Sequence, residues 1–274
     1  MNRILASCLL FCCALLCAQW MCISASAAQI DYGDFPANDV TFLQVTEDST
    51  TNPSVQLFGP PAVSGNGMSF TPTSAFSADS TGGGIVNTDG TLTTSIQVNH
   101  PNTVAIHNVA ISERGDYTLD GTGTTVTQAT VTAPVTLTVT ELNGVAVAPV
   151  VIFSGNLSFS PSGGTYDLVN DQGDGVAWTG NLMVNVDARL AALSISGSAT
   201  KIDYWMDNTL QAVSEQSSLA FIAKKNAIVG LQVNMPMNNV PEPSTMVLLG
   251  VGIPWLALVA LRRRRSQAGL AVDA

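Results

Sequence analysis

Residues 202–207 place an indole between two carboxylates, a combination of side chains that can bind a sugar. The even-numbered residues of this segment are apolar, so a β-strand with period two places them in the core and turns the odd-numbered ones outward. The residues expected on the surface are Asp203, Trp205 and Asp207. An exposed indole can stack on a pyranose ring while carboxylates accept hydrogen bonds from its hydroxyls. Carbohydrate binding by these three residues is one hypothesis, and ordinary packing of a half-covered tryptophan is the other.

A second candidate is a metal site in residues 167–175. Asn170, Gln172 and Asp174 carry side-chain oxygens at alternate positions before Gly175, which loosely resembles a calcium-binding loop. The glutamate that closes such a loop is absent. Asp, Asn and Gly together are also what a tight turn requires for positive φ. A metal site and a turn both remain open, and the sequence suggests no other cofactor.

Other catalytic patterns are missing from the sequence. His100 and His107 are separated by a proline turn and lack the spacing of a shared metal site. The chain has no Gly-x-Ser-x-Gly elbow, His-Glu-x-x-His pair or phosphate loop. All five cysteines lie within the first 22 residues, so the rest of the chain has neither thiols nor disulfides. We predict a noncatalytic domain, with a secreted hydrolase that uses two scattered carboxylates as the less favoured alternative.

The charge balance also excludes one class of partner. The chain has 20 acidic and 10 basic residues, and half of the basic ones are Arg3 and the arginines of residues 262–265. The region between them is therefore strongly acidic. Such a surface repels the phosphate backbone, so no nucleic-acid binding is expected.

The segments that must position these side chains have the pattern of β-strands. In residues 91–98 Leu92, Ile96 and Val98 alternate with polar residues, and Trp178 has the parity of a buried residue. The other sets expected to face inward are Ala129, Val131, Ala133, Val135, Leu137 and Val139 of residues 127–140; Val151, Phe153, Leu157 and Phe159; Leu182, Val184, Val186 and Ala188; Leu219, Phe221 and Ala223; and Val229, Leu231 and Val233. No stretch before residue 245 has sustained helical spacing. One-sided strands without helices predict an all-β fold, an antiparallel β-sandwich of jelly-roll or Greek-key type.

The beginning of the chain has the composition of a secretory signal peptide. Arg3 precedes an apolar stretch, and small residues follow it up to Ala28. We assign residues 1–28 to this signal and residues 29–236 to the β-sandwich.

The end of the chain predicts a membrane segment. Residues 246–261 carry no charge, and a helix of this length reaches about 24 Å of the roughly 30 Å hydrocarbon core. We therefore place the transmembrane helix at residues 245–261. Four basic residues follow it, and they hold that end on the cytoplasmic side. They are Arg262, Arg263, Arg264 and Arg265. Residues 266–274 form a short cytoplasmic tail.

Pro241, Glu242 and Pro243 stand just before the apolar span. Together with the span and the arginine cluster, this tripeptide resembles the PEP-CTERM sorting signal of Gram-negative bacteria, which we assign to residues 237–265. The resemblance implies recognition by an exosortase, a membrane-embedded cysteine transpeptidase that removes the tail. It also implies export and a location at the cell surface, often in bacteria that produce exopolysaccharide. An ordinary permanent anchor is the alternative.

The sequence therefore predicts an exported, noncatalytic structural or adhesive protein of the cell surface or extracellular matrix. It would be anchored transiently in the inner membrane before sorting. The alternative function is a carbohydrate-binding module for the matrix polysaccharide, and the expected partners are the exosortase, the membrane and this polysaccharide.

Overall fold

The computed structural model describes residues 29–234, with side chains described for residues 29–230. The predicted signal peptide, sorting signal, transmembrane helix and cytoplasmic tail lie outside this range. Within the described range, no helix is both long enough and apolar enough to span a membrane.

The described residues form two antiparallel sheets, of which the larger has eight strands. Its central strands, β6 and β14, pair over fourteen residues. The other edge of β14 pairs first with β9, which continues to β10, and then with β8. The strands of the larger sheet are β1 (Ile30–Pro36), β2 (Val40–Asp48), β6 (Gly84–Val98), β8 (Gln128–Thr132), β9 (Pro134–Leu142), β10 (Val145–Asn156), β12 (Thr165–Asp167) and β14 (Ala199–Ser214).

The smaller sheet is built around its two longest strands, β7 and β15. β13 pairs with the outer edge of β7, while β4 and β5 pair with the outer edge of β15. The strands of the smaller sheet are β3 (Ala62–Ser64), β4 (Gly67–Phe70), β5 (Ser77–Thr81), β7 (Ala105–Gly121), β11 (Ser158–Ser160), β13 (Gly173–Asn185) and β15 (Ser218–Asn234).

One hydrophobic core lies between the inner faces of the two sheets. Leu92, Ile96 and Val98 are buried in it, as their alternation in β6 predicts. The inward-facing residues predicted in residues 127–140 are also buried, although the single predicted strand is divided at Ala133 into β8 and β9. Trp178 is completely buried. Two antiparallel sheets around one core confirm the predicted all-β class.

Two predicted strands differ from the structure, one because of a shift in its pairing register and the other because a helix replaces its second half. In β10 the pairing with β9 shifts register between Val151 and Phe153, so Val151 is 54% exposed and Ile152 is buried instead. A bulge of this kind exchanges the two faces of a strand. The strand predicted to contain Val186 and Ala188 ends at Asn185.

Residues Val186–Ala192 form a short helix, α1, where the alternation predicted a strand. The side-chain oxygen of Asn185 accepts a hydrogen bond of 2.7 Å from the N–H of Ala188, which is the usual contact of a helix N-cap. Val186 and Leu190 are the buried residues of this helix. They are about one helical turn apart, so both lie on the face of α1 that packs against the sheet.

The predicted parity of β15 is wrong for its first half. Ala220 and Ile222 are completely buried, whereas Leu219 and Phe221 are partly exposed, and of the predicted inward residues here only Ala223 is buried. Apolar residues occupy both parities here, so alternation alone does not identify the inner face. The true register points Lys224 into the core.

Candidate functional site

Trp205 lies on the outer face of the larger sheet. Its neighbours Tyr204 and Met206 are buried, and the period of the strand turns Trp205 to solvent, where 38% of it is exposed. This orientation agrees with the predicted one. In the sheet, Trp205 is paired with Thr93 of β6 on one side and Thr136 of β9 on the other.

The exposed indole lines a shallow groove of about 280 Å³. The residues that line it beside Trp205 and Asp203 include Gln44, Thr93, Ser95, Thr136 and Thr138. The groove therefore combines one aromatic surface with several hydroxyls, an amide and a carboxylate. These are the groups that orient a polyhydroxylated ligand.

The two carboxylates beside Trp205 have different environments. Asp203 lines the groove and accepts a hydrogen bond of 2.5 Å from the Ser95 hydroxyl. Asp207 accepts a weaker one of 3.3 Å from Thr91 and does not line the groove. Burial, together with the nearby charge of Asp89, raises the pKa of Asp207 above its ordinary value. The structure thus brings Asp203 and Trp205 together in one groove and leaves Asp207 outside it.

The candidate calcium residues lie around the connection between β12 and β13 and have separate partners. The Asn170 amide donates to both carboxylate oxygens of Asp167, at 3.0 and 2.9 Å. Gln172 donates to Asp120 at 3.5 Å, and Asp174 accepts from Thr118 at 3.0 Å.

Asp167 also organises the turn that follows it. Its Oδ1 accepts the N–H groups of Val169 and Asn170, which is the pattern of an Asx turn. The hydrogen bond from the Asn170 side chain is the main reason why the pKa of Asp167 lies below its ordinary value. Within residues 29–230 no three His, Cys, Asp or Glu side chains are grouped as a metal site would require. These contacts favour the turn interpretation.

A second cluster lies in the core between the sheets and consists of Lys224, Glu113 and Asn208. The Lys224 ammonium is completely buried and forms an ion pair of 2.5 Å with Oε1 of Glu113. It also donates to Oδ1 of Asn208 at 2.5 Å. The rings of Phe58 and Phe76 flank it, with centroids 4.9 and 5.0 Å from Nζ. A charged amine is thus enclosed between two aromatic faces, a carboxylate and a carboxamide.

Burial shifts the pKa values of ionisable groups in this cluster and leaves two of its polar atoms without partners. Burial lowers the pKa of Lys224 to about 8, although the Glu113 carboxylate acts in the opposite direction. Burial and the same carboxylate raise the pKa of the nearby Tyr204 hydroxyl. Oε2 of Glu113 and Nδ2 of Asn208 are buried without a hydrogen-bond partner. Two such atoms in one cluster are costly, because a buried polar group without a partner loses its hydration.

These three residues are not among the predicted site residues. Asn208 continues the parity of Tyr204 and Met206, so the alternation of β14 already indicated a polar residue in the core. Glu113 likewise follows Val109 and Ile111 on the inner face of β7. Lys224 gave no such signal, because the assumed parity of β15 pointed it outward.

One family model matches the chain, and it describes a PEP-CTERM protein-sorting motif at residues 239–265. The match contains the tripeptide and the arginine cluster that carried the resemblance. No curated protein matches the chain.

Comparison with solved structures gives distant similarities. The VP2 subviral particle of infectious bursal disease virus is 13% identical, with a TM-score of 0.29 over 70% of this chain and 42% of that one. The present chain therefore spans about two fifths of the viral one. TmCBM61 in complex with β-1,4-galactotriose is 9% identical, with a TM-score of 0.21 over 69% and 85% of the two chains. Endoglucanase 3 of Trichoderma harzianum, from family GH12, is 10% identical, with a TM-score of 0.23 over 77% and 96%.

Proposed function

Because this chain carries a PEP-CTERM sorting signal, which directs export and exosortase-mediated sorting to the cell surface, we propose that it is a noncatalytic structural or adhesive surface protein. One observation supports this proposal above the others. The last strand of the two-sheet domain ends at Asn234, and the sorting motif begins at residue 239. The sheet domain is therefore the cargo that the signal delivers, with a connection of only a few residues.

The proposal includes transient anchoring in the inner membrane before the tail is removed. The test compares cells with and without the exosortase by fractionation and by mass spectrometry of the mature C-terminus. In the presence of the enzyme, the surface fraction should contain chains that lack residues 245–261. Without it, intact chains should remain in the inner membrane.

A matched pair of variants separates recognition of the motif from general effects of the tail. Replacing Pro241 and Pro243 by alanine should abolish processing, because the tripeptide loses the rigidity that the two proline rings give it. Deleting residues 266–274, which lie outside the matched motif, should leave processing unchanged. Normal processing of the double proline variant would contradict the proposal.

The second candidate function is carbohydrate binding, and the groove beside Trp205 favours it. The indole is exposed on a surface of threonine and serine hydroxyls, with the Asp203 carboxylate beside it. This ligand would be an extracellular polysaccharide that is uncharged or cationic, because the acidic domain repels polyanions.

Tryptophan fluorescence tests this candidate directly. Trp178 and Trp205 are the tryptophans of residues 29–234, and Trp178 is buried, so it serves as an internal reference. A polysaccharide that stacks on Trp205 should change its emission, and Trp205→Ala should abolish the response while Trp205→Phe retains part of it. Met183→Ala, at an exposed apolar residue of the other sheet, is the control. A flat titration across a polysaccharide panel would reject this function.

A further inference from the structure

The buried cluster of Lys224, Glu113 and Asn208 joins the two sheets at a point where noncovalent pairing leaves polar atoms without partners. Lys224 belongs to β15 and Glu113 to the neighbouring strand β7, both in the smaller sheet. Asn208 belongs to β14 at the centre of the larger sheet. The amine therefore contacts a carboxamide across the core.

We propose that Lys224 and Asn208 form an intramolecular isopeptide bond and that Glu113 transfers the protons of this reaction. The product is an amide that links Nζ of Lys224 to Cγ of Asn208. The bond is a covalent connection between the two sheets, and it is independent of the function proposed for the domain.

The reaction requires no oxidant and no external reagent. Glu113 accepts a proton from the Lys224 ammonium, and the neutral amine attacks Cγ of Asn208 to form a tetrahedral intermediate. Glu113 then returns this proton to the Asn208 amide nitrogen, and the C–N bond to Nδ2 breaks. Nζ loses a further proton to the departing nitrogen, so the overall products are one isopeptide bond and one ammonium ion.

The geometry places the reacting atoms close to attack distance. Nζ of Lys224 lies 2.5 Å from Oδ1 of Asn208. Since Cγ is one C=O bond, about 1.2 Å, from that oxygen, the nucleophile lies within about 3.7 Å of it. Reactive conformers hold such atoms about 3–3.5 Å apart. The carboxylate of Glu113 is at 2.5 Å from the same nitrogen, within reach of the proton it must take.

The surroundings favour the neutral amine that attacks. Phe58 and Phe76 cover Lys224, and the burial that they contribute to lowers its pKa. A low-polarity site also favours proton exchange within the pair, because the reactants become uncharged when Glu113 takes the proton.

The proposed bond accounts for an atom that otherwise has no partner. Nδ2 of Asn208 is buried without a hydrogen bond, and it is the atom that leaves as ammonia. The bond also suits the composition of the domain, which has no cysteine after residue 22 and cannot form disulfides. The bond would give an exported domain without disulfides a covalent cross-link.

Peptide mapping of the mature protein, purified from the producing cells, tests the proposal. Trypsin cleaves after Lys201 and a glutamate-specific protease cleaves after Glu215, which separates residues 202–215 from the peptide that begins at residue 216. That second peptide ends at Lys225 when Lys224 carries the bond, and at Lys224 when Lys224 is free, because trypsin cleaves only after a free lysine. If the bond is present, the two peptides stay joined, with a combined mass lower by one ammonia. Fragmentation should place the link at Asn208 and Lys224, which also distinguishes it from cyclisation of an N-terminal glutamine.

Variants then identify the role of each group. Glu113→Gln should slow bond formation about 100-fold or more, which is the usual contribution of a proton-transfer group. Lys224→Arg should abolish the bond, while Lys225→Arg, at the exposed neighbour, should leave it complete. Separate, unmodified peptides from the wild-type protein overturn the proposal, whatever the folding of the variants. A normal rate in Glu113→Gln overturns the role of Glu113.

Discussion

Replacing Gly115 by alanine should destabilise the domain severely. Gly115 lies in β7, in register with Trp178 of β13 and with Lys224 of β15. A Cβ at this position would lie 2.0 Å from the carbonyl oxygen of Ala223 and 2.4 Å from Cζ2 of Trp178. Both distances are far inside van der Waals contact. The carbonyl is part of a central strand pair and Trp178 is fully buried, so neither can move aside without losing other contacts.

The magnitude follows from the two ways in which the clash can be relieved. If Trp178 leaves its position, the loss approaches that of truncating a buried tryptophan, about 3–5 kcal/mol. If β15 shifts instead, several ladder hydrogen bonds are lost at about 1 kcal/mol each. Both routes therefore give a loss of about 3–5 kcal/mol. A domain of this size loses about 2–4 °C of Tm per kcal/mol, so the midpoint should fall by roughly 10 °C.

Urea and thermal unfolding, followed by tryptophan emission, measure this loss. Gly230→Ala is the matched control, because Gly230 lies in the same strand pair, opposite Ala110. A Cβ there would be 3.7 Å from the Ala110 carbonyl oxygen, an ordinary contact, and the expected change is within about 0.5–1 kcal/mol. If the two variants are equally stable, the packing of Trp178 on Gly115 is not what the structure describes.

Three further outcomes are expected. The pKa of Glu215 lies below its ordinary 4.5 because its carboxylate accepts hydrogen bonds. The largest contribution comes from the N–H of Thr124, and the hydroxyls of Thr124 and Thr127 follow. The stabilisation by this carboxylate is therefore complete above about pH 4.5 and is lost as the pH falls through the lower pKa of the folded state. The urea midpoints of the wild type and of Glu215→Gln should converge in acid. Midpoints that keep the same difference at every pH would contradict this. Asn185→Ala removes the N-cap of α1 and should cost about 1 kcal/mol in urea unfolding, whereas Asn181→Ala, on the exposed face of β13, should cost little. Millimolar calcium should leave the Tm unchanged if residues 167–175 are a turn, and a rise that Asp174→Ala abolishes would establish the metal site instead.

The success of the strand predictions depended on how the apolar residues were distributed. Residues 91–98 and 127–140 have nearly all of their apolar side chains at one parity, and the residues of that parity are the buried ones. Residues 218–224 carry apolar side chains at both parities, so the same rule had no basis for choosing a face. The choice is made by the register of β15 with β7, which is a property of the assembled sheet.

Local breaks in the strands escaped prediction for a related reason. The register shift near Val151 falls in residues 150–153, which are apolar at both parities, whereas the helix that begins at Val186 interrupts a sequence that alternates. A bulge is set by the pairing with β9, and α1 is stabilised by its buried residues and by the Asn185 cap. Neither interaction is visible in a two-residue period.

The sequence alone determined the class of fold, the absence of cysteine after residue 22 and the sorting motif, because each depends on composition or on contiguous residues. It also placed Trp205 outward, since alternation is a local property of a strand. Only the tertiary structure selected Asp203 over Asp207 as the carboxylate that shares the groove with Trp205. Only it brought together Lys224, Glu113 and Asn208, which lie on three different strands of two sheets, because contacts across a core are set by register and sheet packing.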